Sequence, residues 1–422
     1  MWGILMAKIY INGGRRLSGE LTIHGAKNSA LPILAATLLC SGESVLHNCP
    51  RLSDVDVSVK ILNSLGCECR RDGNTVIVNA QNVSGNEIPD NLMREMRSSI
   101  VFLGAIIGRT KSALVSSPGG CELGPRPIDI HISSLELLGV QITEDHGYLE
   151  CSVDKNLVGS EINLSFPSVG ATENIILAAA LAEGTTVIHN AAREPEISDL
   201  ADFLNSAGAK IYGAGSDKIV INGVNKLNGA EHTVIPDRIV AATYISAAAV
   251  TNGDILLKNI MPSHQVALLN VFRQSGCEIS PYSNCLRIRS LARPKRIPTI
   301  RTMVYPGFPT DAGPPVMALM SVSNGTTVFV ENIFQNRFKY IDELKRLGAN
   351  IKTQGNVAVI EGVPRLSGAA TECTDLRGGA ALVVAGLAAE GTTEIDKIFH
   401  IDRGYESIEE NLRALGAEIK RE

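Results

Sequence analysis

The stretch LKRLGANI, residues 344–351, returns in five variant forms along this chain and decides how its fold is predicted. The glycines of the six phrases lie 68 to 73 residues apart. Because the phrase returns at a nearly constant period, the sequence predicts six copies of one structural unit of about 70 residues. The other five forms are LNSLGCEC (62–69), LELLGVQI (135–142), LNSAGAKI (204–211), FRQSGCEI (272–279) and LRALGAEI (412–419).

A second phrase alternates with the first and marks a turn into a strand. It follows an Ala/Leu/Ile-rich segment that is apolar nearly all round, which is typical of a buried helix. Each unit is therefore predicted to run helix, strand, helix, strand, strand. The clear forms are SGESVLHN (41–48), AEGTTVIHN (182–190), TNGDILLKN (251–259), SNGTTVFVEN (323–332) and AEGTTEIDK (389–397), with the less similar RTKSALVSS (109–117) in the second unit.

The second helix of each unit is predicted to be amphipathic and to end at the repeated glycine. In the first of the six repeats, Ser53 and Asp56 are placed as a capping pair at the start of this helix. The helix would end at Gly66, because a left-handed residue after a helix costs least at glycine.

The ends of the chain indicate how the six units are grouped. The sixth copy stops at EIKRE (418–422), one strand short, and KIYINGG (8–14) is predicted to supply that strand. The sequence thus predicts an α/β protein with three units in each of two domains, one of residues 27–230 and one of residues 1–26 plus 231–422. A solenoid of six units in line is the alternative, but long buried helices need cover on all sides.

Composition excludes several classes of function. A net charge of -5 and 45% hydrophobic residues in 422 predict no general affinity for nucleic acid or for acidic membranes. The longest apolar runs, such as IVFLGAII from Ile100, are shorter than the roughly 20 residues that span a bilayer, and no signal peptide is recognisable, so a cytoplasmic location is expected. Nine cysteines predict reduced thiols, and the pair Cys67 and Cys69 is expected to be structural rather than zinc-binding.

One segment departs from the sixfold pattern and carries a candidate reactive group. In SSPGGCELGPRPIDIH (116–131), Cys121 stands among glycines and prolines, with Arg126 five residues on and Asp129 beyond. Glycine and proline at this density predict an exposed loop. An inert buried cysteine is the alternative, but such cysteines rarely lie in such loops, so Cys121 is predicted to be an acid or a nucleophile.

Common nucleotide-binding and hydrolase motifs are missing from the sequence, including GxxxxGK[ST], GxGxxG after a first strand, HExxH and GxSxG. What remains are polar and charged residues where the buried helices begin. If these helix N-termini face one cleft, the residues can converge on an anion. They are Lys27 and Asn28, Arg97, Ser168 to Gly170, Asp311, and Asp375 with Arg377.

Each of these positions has an ordinary structural alternative. Lys27 could be a solvated charge, and Asp311 and Asp375 could be simple helix caps. Arg126 and Arg403 could form structural ion pairs.

The motifs resemble those of a known family over essentially the whole chain. They are GAKNSALP (25–32), MRSSI (96–100), PGGCxxGPRPID (118–129), SVGAT (168–172), AAREPEI (191–197), YPGFPTD (305–311), NRF (336–338), TDLR (374–377) and DRGYE (402–406). The chain resembles the MurA-type enolpyruvyl transferases, which are UDP-N-acetylglucosamine 1-carboxyvinyltransferases of the EPSP synthase superfamily. The resemblance implies a two-domain inside-out α/β barrel that transfers enolpyruvyl from phosphoenolpyruvate to the UDP-sugar, in the first committed step of peptidoglycan synthesis, without metal or cofactor.

The resemblance also implies roles for individual residues. Cys121 would be the proton donor, able to form a covalent adduct with phosphoenolpyruvate, and Asp311 the base on the sugar hydroxyl. Lys27, Arg126 and Arg403 would hold the charges of phosphoenolpyruvate. The remaining substrate contacts would be Asn28, Arg97, Pro127, Ile128, Asp129, Ile130, Ser168, Val169, Gly170, Glu194, Ile333, Arg337, Asp375 and Arg377.

Departures from the family pattern leave alternatives open. Some members have lysine before the SVG triplet, where this chain has Phe166 and Pro167, and some have histidine at Tyr305. These differences concern the fit of the nucleotide, so a paralogous enzyme with another acceptor stays possible. An enolpyruvylshikimate-phosphate synthase would not need Cys121, and a catalytically silent UDP-sugar sensor would not need the full set of charged residues.

Overall fold

The structure, a computed structural model, describes residues 7–116 and 128–422. Contacts within the chain divide it into two large units, each of which contains three of the six repeats. Residues 25–116 and 128–235 form the first unit, and residues 7–24 and 236–422 form the second unit.

Helices are distributed over both units. In chain order they are α1 (Lys27–Thr37), α2 (Ser53–Ser64), α3 (Asp90–Glu95), α4 (Phe102–Thr110), α5 (Asp129–Leu137), α6 (Val169–Ala179), α7 (Pro195–Ser206), α8 (Arg238–Val250), α9 (Val266–Gln274), α10 (Gly313–Ser321), α11 (Ile341–Arg346), α12 (Leu376–Ala388), α13 (Phe399–Asp402) and α14 (Ile408–Ala414). Short 3-10 helices cover Arg97–Val101, Pro262–Gln265 and Thr310–Ala312.

Strands alternate with these helices. They are β1 (Ile9–Asn12), β2 (Ser18–Thr22), β3 (Cys40–Ser41), β4 (Glu43–His47), β5 (Glu68–Asp72), β6 (Thr75–Asn79), β7 (Ser112–Ser116), β8 (Gln141–Asp145), β9 (Tyr148–Ser152), β10 (Glu161–Asn163), β11 (Thr185–His189), β12 (Lys210–Tyr212), β13 (Lys218–Asn222), β14 (Leu227–Asn228), β15 (Glu231–Thr233), β16 (Asp254–Lys258), β17 (Glu278–Pro281), β18 (Cys285–Arg289), β19 (Thr299–Arg301), β20 (Thr326–Val330), β21 (Asn350–Gln354), β22 (Val357–Glu361), β23 (Leu366–Ser367), β24 (Ala370–Glu372), β25 (Ala389–Glu390), β26 (Thr392–Asp396) and β27 (Glu418–Arg421).

One sheet topology recurs in both units. The first unit has the strand orders β15-β4-β6-β5, β10-β11-β13-β12 and β7-β9-β8, and the second unit has β2-β16-β18-β17, β19-β20-β22-β21 and β24-β26-β1-β27. In every four-stranded sheet the first strand is parallel to its neighbour and the other pairs are antiparallel. In the three-stranded sheet, an isolated parallel bridge from Glu87 to Leu114 takes the first position. The predicted α/β fold of repeated units is confirmed.

Strand β1, near the start of the chain, completes the sheet that contains the last strand, β27. Strand β1 lies between β26 and β27, so that Ile9 pairs with Ile395 on one side and with Arg421 on the other. This is the position that β6, β13, β18 and β22 occupy in their own sheets.

The most apolar helices form the centre of each unit. In the first unit α4 packs against α1 and α6, and in the second unit α8, α10 and α12 pack against one another. The strands alternate buried and exposed side chains, as in β22, so one face of each sheet covers these helices. The first and last turns of the central helices are thereby held in fixed places within each unit.

Helix ends agree with the sequence prediction at the glycines but not at the capping pair. All six repeated glycines, including Gly66 and Gly348, have φ between 91° and 107°, so the predicted left-handed ends are confirmed. The prediction that Ser53 and Asp56 form a capping pair is wrong. Leu52 occupies the cap position with no side-chain hydrogen bond, because the helix already includes Ser53.

The thiols of Cys67 and Cys69 pack with the hydrophobic core of the first unit. Cys67 is buried and Cys69 half-buried, and burial raises the pKa of Cys67 to about 11 and that of Cys69 to about 12. Within residues 7–116 and 128–422, no three His, Cys, Asp or Glu side chains form a group suited to a metal ion. No helix in those residues is long and apolar enough to cross a membrane.

A buried carboxylate joins three segments of the first unit. Asp199 of α7 is 4% exposed and accepts hydrogen bonds from Ser29 of α1, from Nε2 of His232 at 2.8 Å and from the backbone N–H of Ile235 at 3.2 Å. Removing one partner of such a buried network leaves its donors unsatisfied.

We expect Asp199→Ala to lower the free energy of unfolding by about 3 kcal/mol, because one buried and two half-buried donors lose their acceptor. Urea unfolding followed by circular dichroism measures this. Glu136→Ala, at an exposed position on α5 of the same unit, serves as the control and should change stability by less than about 0.5 kcal/mol. Equal losses in the two variants would contradict the assignment.

Candidate active site

Asp311 of the second unit lies between two buried guanidinium groups. Its Oδ1 accepts from Nη2 of Arg337 at 3.0 Å and its Oδ2 from Nε of Arg377 at 3.4 Å. Both arginine side chains are 3% exposed, whereas that of Asp311 is 28% exposed. The predicted residues Asp311, Arg337 and Arg377 are thus brought together, and Asp311 is an ion-pair partner rather than a helix cap.

Arg377 is fixed from two sides. Asp375 caps α12 and accepts from the backbone N–H groups of Arg377 and Gly378, each at 3.0 Å. The guanidinium donates to the hydroxyl of Tyr405 at 3.2 Å, and that hydroxyl also contacts Oγ1 of Thr243 at 2.8 Å. Burial alone would lower the pKa of Arg377, but Tyr405 and Asp311 raise it above its usual value, so this side chain stays charged.

Arg337 and Ile333 are positioned through one buried glutamate. Glu331, at the end of β20, accepts from Oγ1 of Thr310 at 2.9 Å and from the N–H of Ile333 at 2.8 Å. Arg337 donates to the carbonyl of Thr310 at 3.3 Å. Its buried Nε has no hydrogen-bond partner among the residues that the structure describes, so it can serve an acceptor from a ligand.

In the first unit, Lys27 begins α1 and is not a solvated charge. Its Nζ lies 3.1 Å from Oδ2 of Asp54, and the two side chains are 10% and 2% exposed. Asn28 follows at an exposed position of the same helix start. A lysine held by a buried carboxylate has a restricted position, which suits a binding role better than a free surface charge.

The start of α6 meets the start of α5. Ser168 caps α6 by accepting from the N–H of Ala171 at 3.3 Å, and Val169 and Gly170 form the first turn. A Cβ on Gly170 would lie 2.9 Å from Cε1 of His131, so only glycine permits this approach. Since His131 is on α5, the predicted segments Ser168 to Gly170 and Ile128 to Ile130 lie near each other.

His131 is buried and neutral. Its Nδ1 accepts from Nδ2 of Asn174 at 2.9 Å, and Asn174 also donates to the carbonyl of Ile100 and accepts from the N–H of Gly104. Burial lowers the pKa of His131 to about 4. The ring therefore joins α4, α5 and α6 as an uncharged hydrogen-bonding group.

Glu194 is the N-cap residue of α7 and contributes to an acidic cluster. Burial, followed by the charges of Glu196 and Glu194, raises the pKa of Glu173 well above its usual value. Glu173 is therefore favoured in its protonated form beside Glu194.

The other predicted residues divide into two groups. Arg403 follows α13 at a half-buried position, two residues before Tyr405. Arg97 begins a 3-10 helix, but its side chain lies outside the described part, as do Cys121, Arg126 and Pro127.

Comparison with known proteins shows the family of this chain. Residues 11–412 match the family described as EPSP synthase (3-phosphoshikimate 1-carboxyvinyltransferase). The chain belongs to the EPSP synthase family.

Two curated relatives and two solved structures narrow the comparison. Proteins named UDP-N-acetylglucosamine 1-carboxyvinyltransferase 2 from Caldanaerobacter subterraneus and UDP-N-acetylglucosamine 1-carboxyvinyltransferase 1 from Symbiobacterium thermophilum are 54% and 51% identical, covering 99% and 97% of this chain and 100% and 94% of their own. The enolpyruvyl transferase NikO from Streptomyces tendae superposes with a TM-score of 0.90 at 25% identity, covering 99% of both chains. EPSP synthase from Acinetobacter baumannii, at 18% identity and a TM-score of 0.77 over 98% of this chain and 100% of its own, shares the fold.

For this member of the EPSP synthase family, sequence reasoning missed several residues that position the site. They are Asp54, His131, Thr243, Glu331 and Tyr405. Tyr405 and His131 lay inside quoted motifs, which was an available signal. Glu331 lay at the end of the repeated phrase SNGTTVFVEN, which marks a strand and not a site. Asp54 contacts Lys27, 27 residues earlier, so no local pattern marks it.

The neutral state of His131 gives a pH-dependence with a definite sign. Between about pH 6.5 and pH 4 the unfolded chain binds a proton at this residue and the folded chain does not, so the free energy of unfolding falls as pH falls. We expect the loss of unfolding free energy due to His131 to reach about 3 kcal/mol once the pH has fallen to about 4.

His131→Gln keeps an acceptor for Asn174 but does not titrate, so its unfolding free energy should fall less steeply than that of the wild type between pH 6.5 and 5. Urea unfolding at a series of pH values tests this, with the exposed His146→Gln as control. Identical slopes for the wild type and His131→Gln would contradict a buried neutral ring.

Proposed function

We propose that this chain transfers the enolpyruvyl group of phosphoenolpyruvate to the 3-hydroxyl of UDP-N-acetylglucosamine and releases phosphate, the first committed step of peptidoglycan synthesis. The observation that carries the proposal is the name shared by full-length relatives that are 54% and 51% identical to this chain. A cytoplasmic location, with neither metal nor nucleic acid involved, is part of the same proposal.

The chemistry is an addition followed by an elimination. In the addition, the sugar oxygen bonds to C2 of phosphoenolpyruvate, a base takes the hydroxyl proton, and an acid protonates C3 to give a methyl group. In the elimination, the bond from C2 to the phosphate oxygen breaks and the methyl group loses a proton, which restores the double bond. The site must therefore supply an acid, a base and cations for carboxylate and phosphate.

Asp311 is the proposed acceptor of the hydroxyl proton. Its two oxygens each take one charge-assisted hydrogen bond from Arg337 or Arg377, which fixes the plane of the carboxylate. A carboxylate has about four lone-pair positions, so it can accept from a substrate hydroxyl as well as from the two arginines. Its exposed fraction of 28% makes the group accessible to that hydroxyl.

Cys121 is the proposed acid, and Lys27, Arg126 and Arg403 are the proposed cations for phosphoenolpyruvate. The contact of Lys27 with Asp54 holds its ammonium group at the start of α1, where the helix dipole adds positive potential. Asn28 contributes an exposed amide at the same helix start.

The UDP-sugar is proposed to bind at the starts of α5 and α6. The first turn of α6, with Ser168, Val169 and Gly170, offers backbone N–H groups and a positive helix end to a diphosphate. Ile128 to Ile130 adjoin this turn through His131. Arg97, Arg126 and Pro127 are assigned to the same ligand. Glu194, Ile333, Arg337, Asp375 and Arg377 complete the proposed set of substrate contacts.

Phosphate release from phosphoenolpyruvate tests the function directly. We expect release with UDP-N-acetylglucosamine as acceptor and none with shikimate 3-phosphate. Release only with shikimate 3-phosphate or only with another UDP-sugar would contradict the proposed acceptor. Binding of UDP-N-acetylglucosamine in calorimetry without any release would instead indicate a catalytically silent sensor.

The proposed acid is tested in the same assay. We expect Cys121→Ser to lower the rate at least about 100-fold, because a hydroxyl is a far weaker proton donor. Cys285→Ser, at a half-buried position on β18, is the matched control and should keep the wild-type rate. A wild-type rate from Cys121→Ser would contradict the role.

A further inference from the structure

A cavity of about 140 Å³ lies in the second unit, and none of the proposed substrate contacts lines it. It is bounded on one side by the 3-10 helix Pro262–Gln265 and the first turn of α9, and on the other by the segment from Tyr305 to Pro309. Among its lining residues are Arg238, Ser263, Gln265, Val266 and Tyr305.

Gln265 is the feature that points to a ligand. The residue is only 3% exposed, and neither its Nε2 nor its Oε1 has a hydrogen-bond partner in the part of the chain that the structure describes. Burying an amide without hydrogen bonds is unfavourable, because nothing offsets the loss of its contacts with water. Gln265 is also the N-cap residue of α9, yet its side chain makes no capping bond, so the amide is not used by the helix.

The charge of the cavity wall favours an anionic group. The guanidinium of Arg238 lies 5.5 Å from the centre of the Tyr305 ring, and both residues line the cavity. Guanidinium has five N–H donors, so it can serve a further acceptor beside its existing contacts. The start of the nine-residue helix α9 adds the positive end of its dipole on the same side.

The amide requires a ligand with both an acceptor and a donor. Nε2 needs an acceptor, which a carboxylate supplies together with charge for Arg238, and Oε1 needs a donor close to that carboxylate. An ammonium or hydroxyl group on the adjacent carbon meets this need. For size, an apolar protein cavity of about 150 Å³ holds benzene, so about six non-hydrogen atoms fit here.

We propose that this cavity binds a small α-amino or α-hydroxy carboxylate, with the carboxylate toward Arg238 and the α-substituent donating to Oε1 of Gln265. The ligand would contact the segment from Tyr305 to Pro309, which leads directly to Thr310 and Asp311. Neither phosphoenolpyruvate nor a UDP-sugar has this combination in so small a molecule, so the site is additional to the transfer reaction.

Ligand-observed NMR on the full chain, without substrates, tests the proposal. The probes are L-alanine and L-serine for the amino acids and L-lactate and D-glycerate for the hydroxy acids, each up to about 50 mM. We expect at least one pair to bind with a dissociation constant of about 1 mM, and which pair binds identifies the α-substituent. Propionate, which lacks the donor, should bind at least about tenfold more weakly.

Variants distinguish this cavity from other carboxylate-binding places on the protein. Gln265→Leu has similar volume but no amide, and should weaken binding at least about tenfold, while Gln274→Leu at the exposed end of α9 should not. Gln265→Glu places a negative charge beside the carboxylate and should abolish binding. The phosphate-release rate of Gln265→Leu without added ligand reports that the variant is folded.

Three results would overturn the proposal. They are no binding of any probe by the wild type, binding unchanged in Gln265→Leu, and propionate binding as tightly as lactate or alanine.

Discussion

The double ion pair of Asp311 with Arg337 and Arg377 is the contact on which the candidate site depends. Taking charges out of water costs several kcal/mol per ion, and only close opposite charges offset it. Two cations share one carboxylate, so the three side chains carry a net charge of +1. The hydroxyl of Tyr405 and the charge of Asp237 act on Arg377 as well, and an anionic substrate adds to this balance.

The repeated fold brings these groups to one place. Asp311 precedes α10, Arg377 is in the first turn of α12, and Glu331 follows β20. Each lies where a repeated element begins or ends, and α10 and α12 pack against each other in the centre of the unit. Functional side chains can therefore differ between copies while the backbone positions stay the same.

Much of this was predictable from the sequence, because periodicity reports on buried faces and on glycine conformation. The six left-handed glycines, the apolar helices and the α/β class followed from the phrase around Gly348 and its relatives. Asp311, Arg337 and Arg377 came from motifs and do meet. That residues 27–230 form one domain and residues 1–26 plus 231–422 a second stays a prediction.

Other features could not be predicted, since they depend on contacts between residues far apart in the chain. Asp54 reaches Lys27 from the next helix, and Tyr405 reaches Thr243 across 162 positions. The prediction of a capping pair at Ser53 failed because a sequence pattern locates the start of a helix only to within one or two residues. Gln265 lies in no motif, and what distinguishes it is burial without a hydrogen-bond partner among residues 7–116 and 128–422.

We infer that Arg337 and Arg377 act together by fixing Asp311, and a double-mutant cycle on the phosphate-release rate measures this coupling. The variants are Arg337→Gln, Arg377→Gln and their combination, each checked for a cooperative thermal transition. If both arginines act through one carboxylate, each single variant lowers kcat by about 100-fold and the double variant loses little more. A double variant slowed by about 10,000-fold, the product of two independent effects, would contradict the account.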